Sequence, residues 1–148
     1  MDNPVDNLVK KFVRVNGVQL CYFETGEQFR ADGTILLIHA TGFHARCWDR
    51  TIQLLGGRHV VAIDMRGHGR SDKIGPFTWD VFGADVEAFV AILDLDNVVA
   101  AGHSFGGHSL CLAVSKVGDR FQRALLVDPV ILSPEKYARP EALRQAWL

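Results

Sequence analysis

With 148 residues, 48% of them hydrophobic and 22% charged, the chain has the size of one globular domain, which buries roughly 68–70% of the surface its unfolded form exposes. Sixteen Lys and Arg face 17 Asp and Glu, a net charge of −1, and the basic residues are scattered, so no cationic field is available for nucleic acid and the expected partner is a small molecule. The uncharged apolar runs fall well short of the ~18 residues of a membrane span, and "MDNPVDNLVKK" lacks the apolar stretch of a signal peptide. Cys21, Cys47 and Cys111, an odd number in apolar-looking segments, read as three buried reduced thiols, which with the missing leader predicts a cytoplasmic protein without a cofactor.

In chain order, "KFVRV" (11–15) and "VQLCYFE" (18–24) alternate as strands, and Asn16-Gly17 between them is a two-residue hairpin signal. "TILLIH" (34–39) is a continuous apolar run, the pattern of a strand covered on both faces of a parallel sheet. Trp48, Ile52 and Leu55 share a helix face, and "HVVAID" (59–64) is the next strand. After the loop "RGHGRSDKIGP", Thr78 is placed to cap a helix with Phe82, Val86, Phe89 and Leu93 on one stripe. "NVVAAGH" (97–103), a helix over 104–117 and "FQRALLVD" (121–128) follow, and Ser133-Pro134-Glu135 opens a last helical segment that Pro140 interrupts. Strands alternating with helices predict an α/β fold: a mostly parallel sheet of about six strands, an antiparallel N-terminal hairpin, and helices on both faces.

In such sheets ligands bind at the carboxyl ends of the strands, which here carry "HATGFH", "DMRGHGRSD", "HSFGG" and "DP". Gly102-His103-Ser104-Phe105-Gly106 sits between a strand and a helix, the context that makes Gly-x-Ser-x-Gly a nucleophile turn. A β-carbon two places either side of Ser104 would clash in so tight a turn, hence Gly102 and Gly106. The following helix aims its free N–H groups and positive dipole end at a developing oxyanion. One donor is then the Phe105 N–H, and the second comes from the loop after 34–39, where Thr41 is best placed.

"LLIHATGFHARCW", "AIDMRGHGRSD" and "GHSFGG", in this order and spacing, resemble the N-terminal half of an α/β-hydrolase-fold protein of the serine esterase and lipase type. The resemblance implies Ser104 as nucleophile, Thr41 and Phe105 as oxyanion donors, and a structural role for "RGHGRSD". A serine rather than an aspartate at 104 disfavours the dehalogenase and epoxide-hydrolase branches. Ala40 is a departure, standing where many relatives have glycine.

The same resemblance implies a late histidine, yet after Ser104 only His108 follows, in a position that normally packs against the sheet. The fold is therefore expected to be truncated, with residues 1–133 as an incomplete core and 134–148 as a helical stub resembling the start of a lid. His44 is the best in-chain base and Asp128, at the end of the last strand, the candidate carboxylate. Asp64, His39, His68, His103 and His59 read as structural. Two alternatives stay open: three of His39, His44, His68, His103 and Asp128 could bind a metal and hydrolyse phosphoesters, or the chain could be a catalytically incomplete binding module. Strand 121–128 would end the sheet with an unpaired apolar edge, and Leu143, Trp147 and Leu148 would expose a stripe. Both predict a homodimer that completes the site.

Overall fold

The structure is a computed structural model, and residues 3–137 are described. Six strands form one sheet in the order β1-β2-β4-β3-β5-β6, with β1 Val9–Val15, β2 Val18–Thr25, β3 Thr34–Ile38, β4 His59–Ile63, β5 Val98–His103 and β6 Phe121–Val127. The β1–β2 and β2–β4 pairs are antiparallel, and β4, β3, β5 and β6 run parallel. The predicted hairpin closes with Val15 opposite Val18, and Asn16 (φ 46) and Gly17 (φ 83) both take the positive φ that a tight two-residue turn needs.

The helices are α1 Asp49–Leu54, α2 Trp79–Ile92, α3 Phe105–Val117 and the single turn α4 Pro134–Tyr137. Strand pleating sends alternate residues to two cores. Leu20, Tyr22, Leu36, Ile38, Val61 and Ile63 pack with Phe82, Val86 and Phe89 of α2 and Leu110 of α3. Cys21, Phe23, Leu37, Val60 and Ala62 pack with Ala45 and Ile52 on the α1 side. Helices thus lie on both faces, and Thr78 caps α2 by accepting a bond from the Val81 N–H.

Two local expectations need correction. The segment carrying Trp48 splits into a 3-10 turn, Ala45–Trp48, and a short α1, so Leu55 caps the helix rather than belonging to it. The polar stretch before β3 holds a 3-10 helix, Glu27–Asp32, because Gly26 (φ 70) and Gly33 (φ 107) supply the positive φ its ends require. Only Cys21 is buried: Cys47 and Cys111 are exposed, although all three are free. Neither Cys47 nor Cys111 belongs to the two buried cores. The helical stub enters the described residues only as α4, and Pro140, Leu143, Trp147 and Leu148 lie outside them.

At the end of the sheet away from the serine turn, one side chain from each of four neighbouring strands joins a polar chain. Lys11 of β1 pairs with Glu24 of β2. Glu24 Oε1 accepts from His59 Nε2 of β4 at 2.8 Å, and His59 Nδ1 meets Thr34 Oγ1 of β3 at 2.8 Å. Glu24, His59 and Thr34 are buried. The His59 bond, aided by Lys11 and opposed by burial, holds the Glu24 carboxyl down at about 2.

Candidate active site

Ser104 ends the tight β5-to-α3 turn at φ 51, ψ −112, a conformation rare for a residue with a side chain. It stands at the N-cap of α3, yet its hydroxyl makes no capping bond, so Oγ is not spent on the helix. A β-carbon on Gly102 would come within 2.6 Å of Gly106 O and 2.8 Å of Gly107 Cα. One on Gly106 would come within 2.6 Å of both Ile38 O and His39 O. These contacts are with backbone, so they explain both glycines. They also press the first turn of α3 against the end of β3, which brings Phe105 beside the segment that leads to Thr41.

That segment turns at once: Phe43 N–H bonds Ala40 O at 3.1 Å, with Thr41 and Gly42 (φ 78) at the centre. Phe105 begins α3, where first-turn N–H groups have no acceptor inside the helix. The Phe105 side chain is wall rather than pocket, buried against Phe82 (ring centroids 4.6 Å), His68 (5.5 Å) and Trp79 (6.1 Å).

A second layer holds this loop in place. Asp64, fully buried, accepts from the Ala45 N–H at 2.6 Å and the Arg70 N–H at 2.8 Å. It approaches Gly69 so closely that a β-carbon there would lie 2.2 Å from Oδ2. Ser71 Oγ accepts from the Cys21 N–H, tying the same loop to β2. Arg66 grips Asp85 of α2 through Nε (2.7 Å) and Nη2 (2.8 Å), and Asn16 Nδ2 adds a bond to Asp85 at 3.0 Å. Neither Arg66–Asp85 nor Ser71 was legible as a partner in the sequence, since 19 and 50 residues separate the groups.

Of the histidines, His39 is bonded on both nitrogens, to Ala40 O (2.8 Å) and from the Met65 N–H (3.0 Å). Burial pushes its pKa down to about 4. His59 belongs to the distant polar chain, His68 Nδ1 bonds Arg66 O at 3.0 Å, and His108 Nδ1 meets Val130 O at 3.0 Å. His103 ends β5, half-buried. His44 is exposed on the loop beyond Thr41, and Asp128 is exposed just after β6 at φ 44. Among the described residues, no three His, Cys, Asp or Glu side chains gather as a group able to hold a metal ion. None of the helices among them is long and apolar enough to cross a membrane.

The sequence profile of the "Alpha/beta hydrolase family" matches residues 35–148. The chain belongs to this family. Within the family it is similar to the lipase LipV of Mycobacterium tuberculosis, 36% identical over 66% of this chain and 37% of that protein. It is similar to the N-formylmaleamate deformylase of Pseudomonas putida, 31% identical over 88% of this chain and 49% of that one. Among solved structures, a membrane phospholipase A described as a bacterial virulence factor superposes with a TM-score of 0.80 at 28% identity, covering 97% of this chain and 47% of the other. The haloalkane dehalogenase DatA of Agrobacterium tumefaciens matches at 0.79 with 24% identity over 91% and 48%, which speaks to the fold alone. The chain thus spans half or less of the length of these relatives.

Proposed function

We propose that this chain is a hydrolase of ester-type small molecules in which Ser104 is the nucleophile. The observation that carries the reading is the strained Ser104 backbone at a helix N-cap with its hydroxyl uncommitted. The lipase and the deformylase among the relatives support an acyl substrate.

In this reading Oγ attacks the acyl carbon while an imidazole base takes its proton. The carbonyl oxygen becomes an oxyanion, met by the N–H groups of Thr41 and Phe105, each worth ~2.7–4 kcal/mol of barrier. Collapse of the tetrahedral species expels the alcohol, which recovers the proton, and leaves an acyl-serine. Water then attacks that ester by the same steps in reverse order, releasing the acid and free Ser104. His44 is the in-chain base and Asp128 the carboxylate of this proposal. Both are exposed, so we assign their ordering to a second copy of the chain covering β6, with the segment from residue 134 as the start of a lid. The edge position of β6 and the exposure of Leu125 (60%), Leu126 (39%) and Val127 (40%) support that homodimer. Without an ordered base, ~10³–10⁴-fold catalysis over water remains from oxyanion stabilisation and binding. The three free cysteines support a reducing, cytoplasmic setting.

The test is an ester and phosphoester panel run on purified protein, with Ser104→Ala and a chelator as parallel arms. Loss of ester turnover with the mutation alone supports the reading. Loss with the chelator alone makes the protein a metal hydrolase, and absence of turnover in every arm makes it a binding module. A strictly monomeric mass by light scattering at micromolar concentration overturns the dimer.

A further inference from the structure

The backbone of Ser104 is held from outside its own helix, by the residues that follow β6. Its N–H donates to Val127 O at 2.9 Å. Its carbonyl accepts two bonds, the helical one from the His108 N–H at 3.1 Å and a second from the Val130 N–H at 3.2 Å. Val130 is then gripped a second time, because its carbonyl lies 3.0 Å from His108 Nδ1. Between these anchors Pro129 abuts the helix so tightly that a β-carbon on Gly107 would come within 3.0 Å of Pro129 Cβ. Asp128, at φ 44, is the residue the clamp leaves hanging outward.

A carbonyl oxygen only accepts, so the His108–Val130 contact fixes the proton on Nδ1. That nitrogen cannot then take a proton from a substrate or from Ser104. The ring is braced on another side by Trp79, edge-on at 4.7 Å between centroids. Among the described residues, His108 is the first-turn side chain of α3 that hydrogen-bonds the segment after β6. Holding a side-chain-bearing residue at an unfavourable φ costs free energy, and the conformation persists only where surrounding bonds over-determine it. Here two of those bonds, Ser104 N to Val127 O and Val130 N to Ser104 O, depend on where Val127–Val130 lies.

We propose that His108 is a positioning residue: by bonding Val130 it clamps the Asp128-Pro129-Val130 segment onto the nucleophile turn and so fixes the Ser104 backbone. The inference rests on Ser104 as nucleophile only for its kinetic consequence, since the clamp itself can be read directly.

The experiment compares wild type with His108→Ala and His108→Asn, reading amide hydrogen exchange by NMR together with kcat and KM on the best ester. Asn carries its Nδ2 on Cγ, as His carries Nδ1, so it can restore the bond; Ala cannot. His108→Ala is expected to speed exchange of the Ser104 and Val130 amides about tenfold or more, the size of one lost hydrogen bond. It should lower kcat by about the same factor with KM within twofold, as for a group acting on the nucleophile rather than on binding. His108→Asn should recover most of both. Unchanged exchange in His108→Ala, or equal losses in Ala and Asn, overturns the proposal. If His108→Ala exposes amides throughout the chain, recovery by Asn decides. Ser104→Ala separates the two readings: full turnover in that variant removes the nucleophile assignment, while the exchange result still judges the clamp.

Discussion

His39 accepts a hydrogen bond from the Met65 N–H at 3.0 Å and faces Ala40 O at 2.8 Å, so one neutral imidazole joins the loop after β3 to the loop after β4. The carbonyl partner requires the proton on Nδ1, which leaves the Nε2 lone pair for Met65. A second proton would break the Met65 bond inside a buried site. Burial accordingly lowers the His39 pKa to about 4. The candidate oxyanion loop is therefore organised by a histidine that must stay uncharged.

That linkage sets a pH dependence. Unfolded His39 takes its proton near 6.5 and the folded one near 4, so the unfolded state binds more protons between those values. Stability is full above about 6.5 and falls as pH drops toward 4, by about 3 kcal/mol in all. Urea unfolding at pH 7 and 4.5 should show this loss in wild type and a smaller one in His39→Gln. Parallel curves for the two proteins would contradict it.

The four-strand polar chain predicts a second, more acid window. Glu24 is held at about 2 against an ordinary 4.5, so its contribution is present above about 4.5 and lost as pH falls toward 2. Glu24→Gln should remove that limb. At pH 7 it should cost about 2 kcal/mol, less than the ~3–5 for a fully buried pair, because Lys11 is 34% exposed. A thermal melt series from pH 7 to 2.5 is the check.

The glycines of the Ser104 turn should be far less tolerant than that of the hairpin. Gly102→Ala and Gly106→Ala drive a methyl to 2.6 Å from backbone oxygens and should each cost several kcal/mol, at or beyond the ~1–3 typical of overpacking. Gly17→Ala meets nothing within 4 Å and pays only for its φ of 83, about 1 kcal/mol. Comparable melting temperatures for all three variants would refute the steric account of the turn.

Asp64 should behave as a structural acid. Asp64→Ala strands the Ala45 and Arg70 N–H groups, at ~1–3 kcal/mol for the buried Ala45 orphan and less for the part-buried Arg70 one. Asp64→Asn keeps one acceptor and should lose about half as much. Guanidinium midpoints measure both, and an Asn variant as unstable as the Ala variant would point to the charge rather than the geometry.

Much of the architecture was written in local pattern. The apolar runs of β3 and β4, the Asn-Gly turn, the Thr78 cap and the glycines around Ser104 each report a short-range constraint, because pleating, positive φ and steric clearance act within a few residues. The structure moved their ends by a residue or so, and it exposed Cys47 and Cys111, whose apolar neighbours could not reveal how little chain lies above them.

What only the tertiary fold decided is which distant polar groups meet. His108 with Val130, His39 with Met65, Asp85 with Arg66, and Lys11, Glu24, His59 and Thr34 in one chain are 13 to 35 positions apart. No periodicity encodes such pairs: strand order and register place them side by side, and burial then obliges each donor to find its acceptor. The sequence by itself determined where the tight turn at Ser104 stands. The crossing of the sheet decided what holds it there.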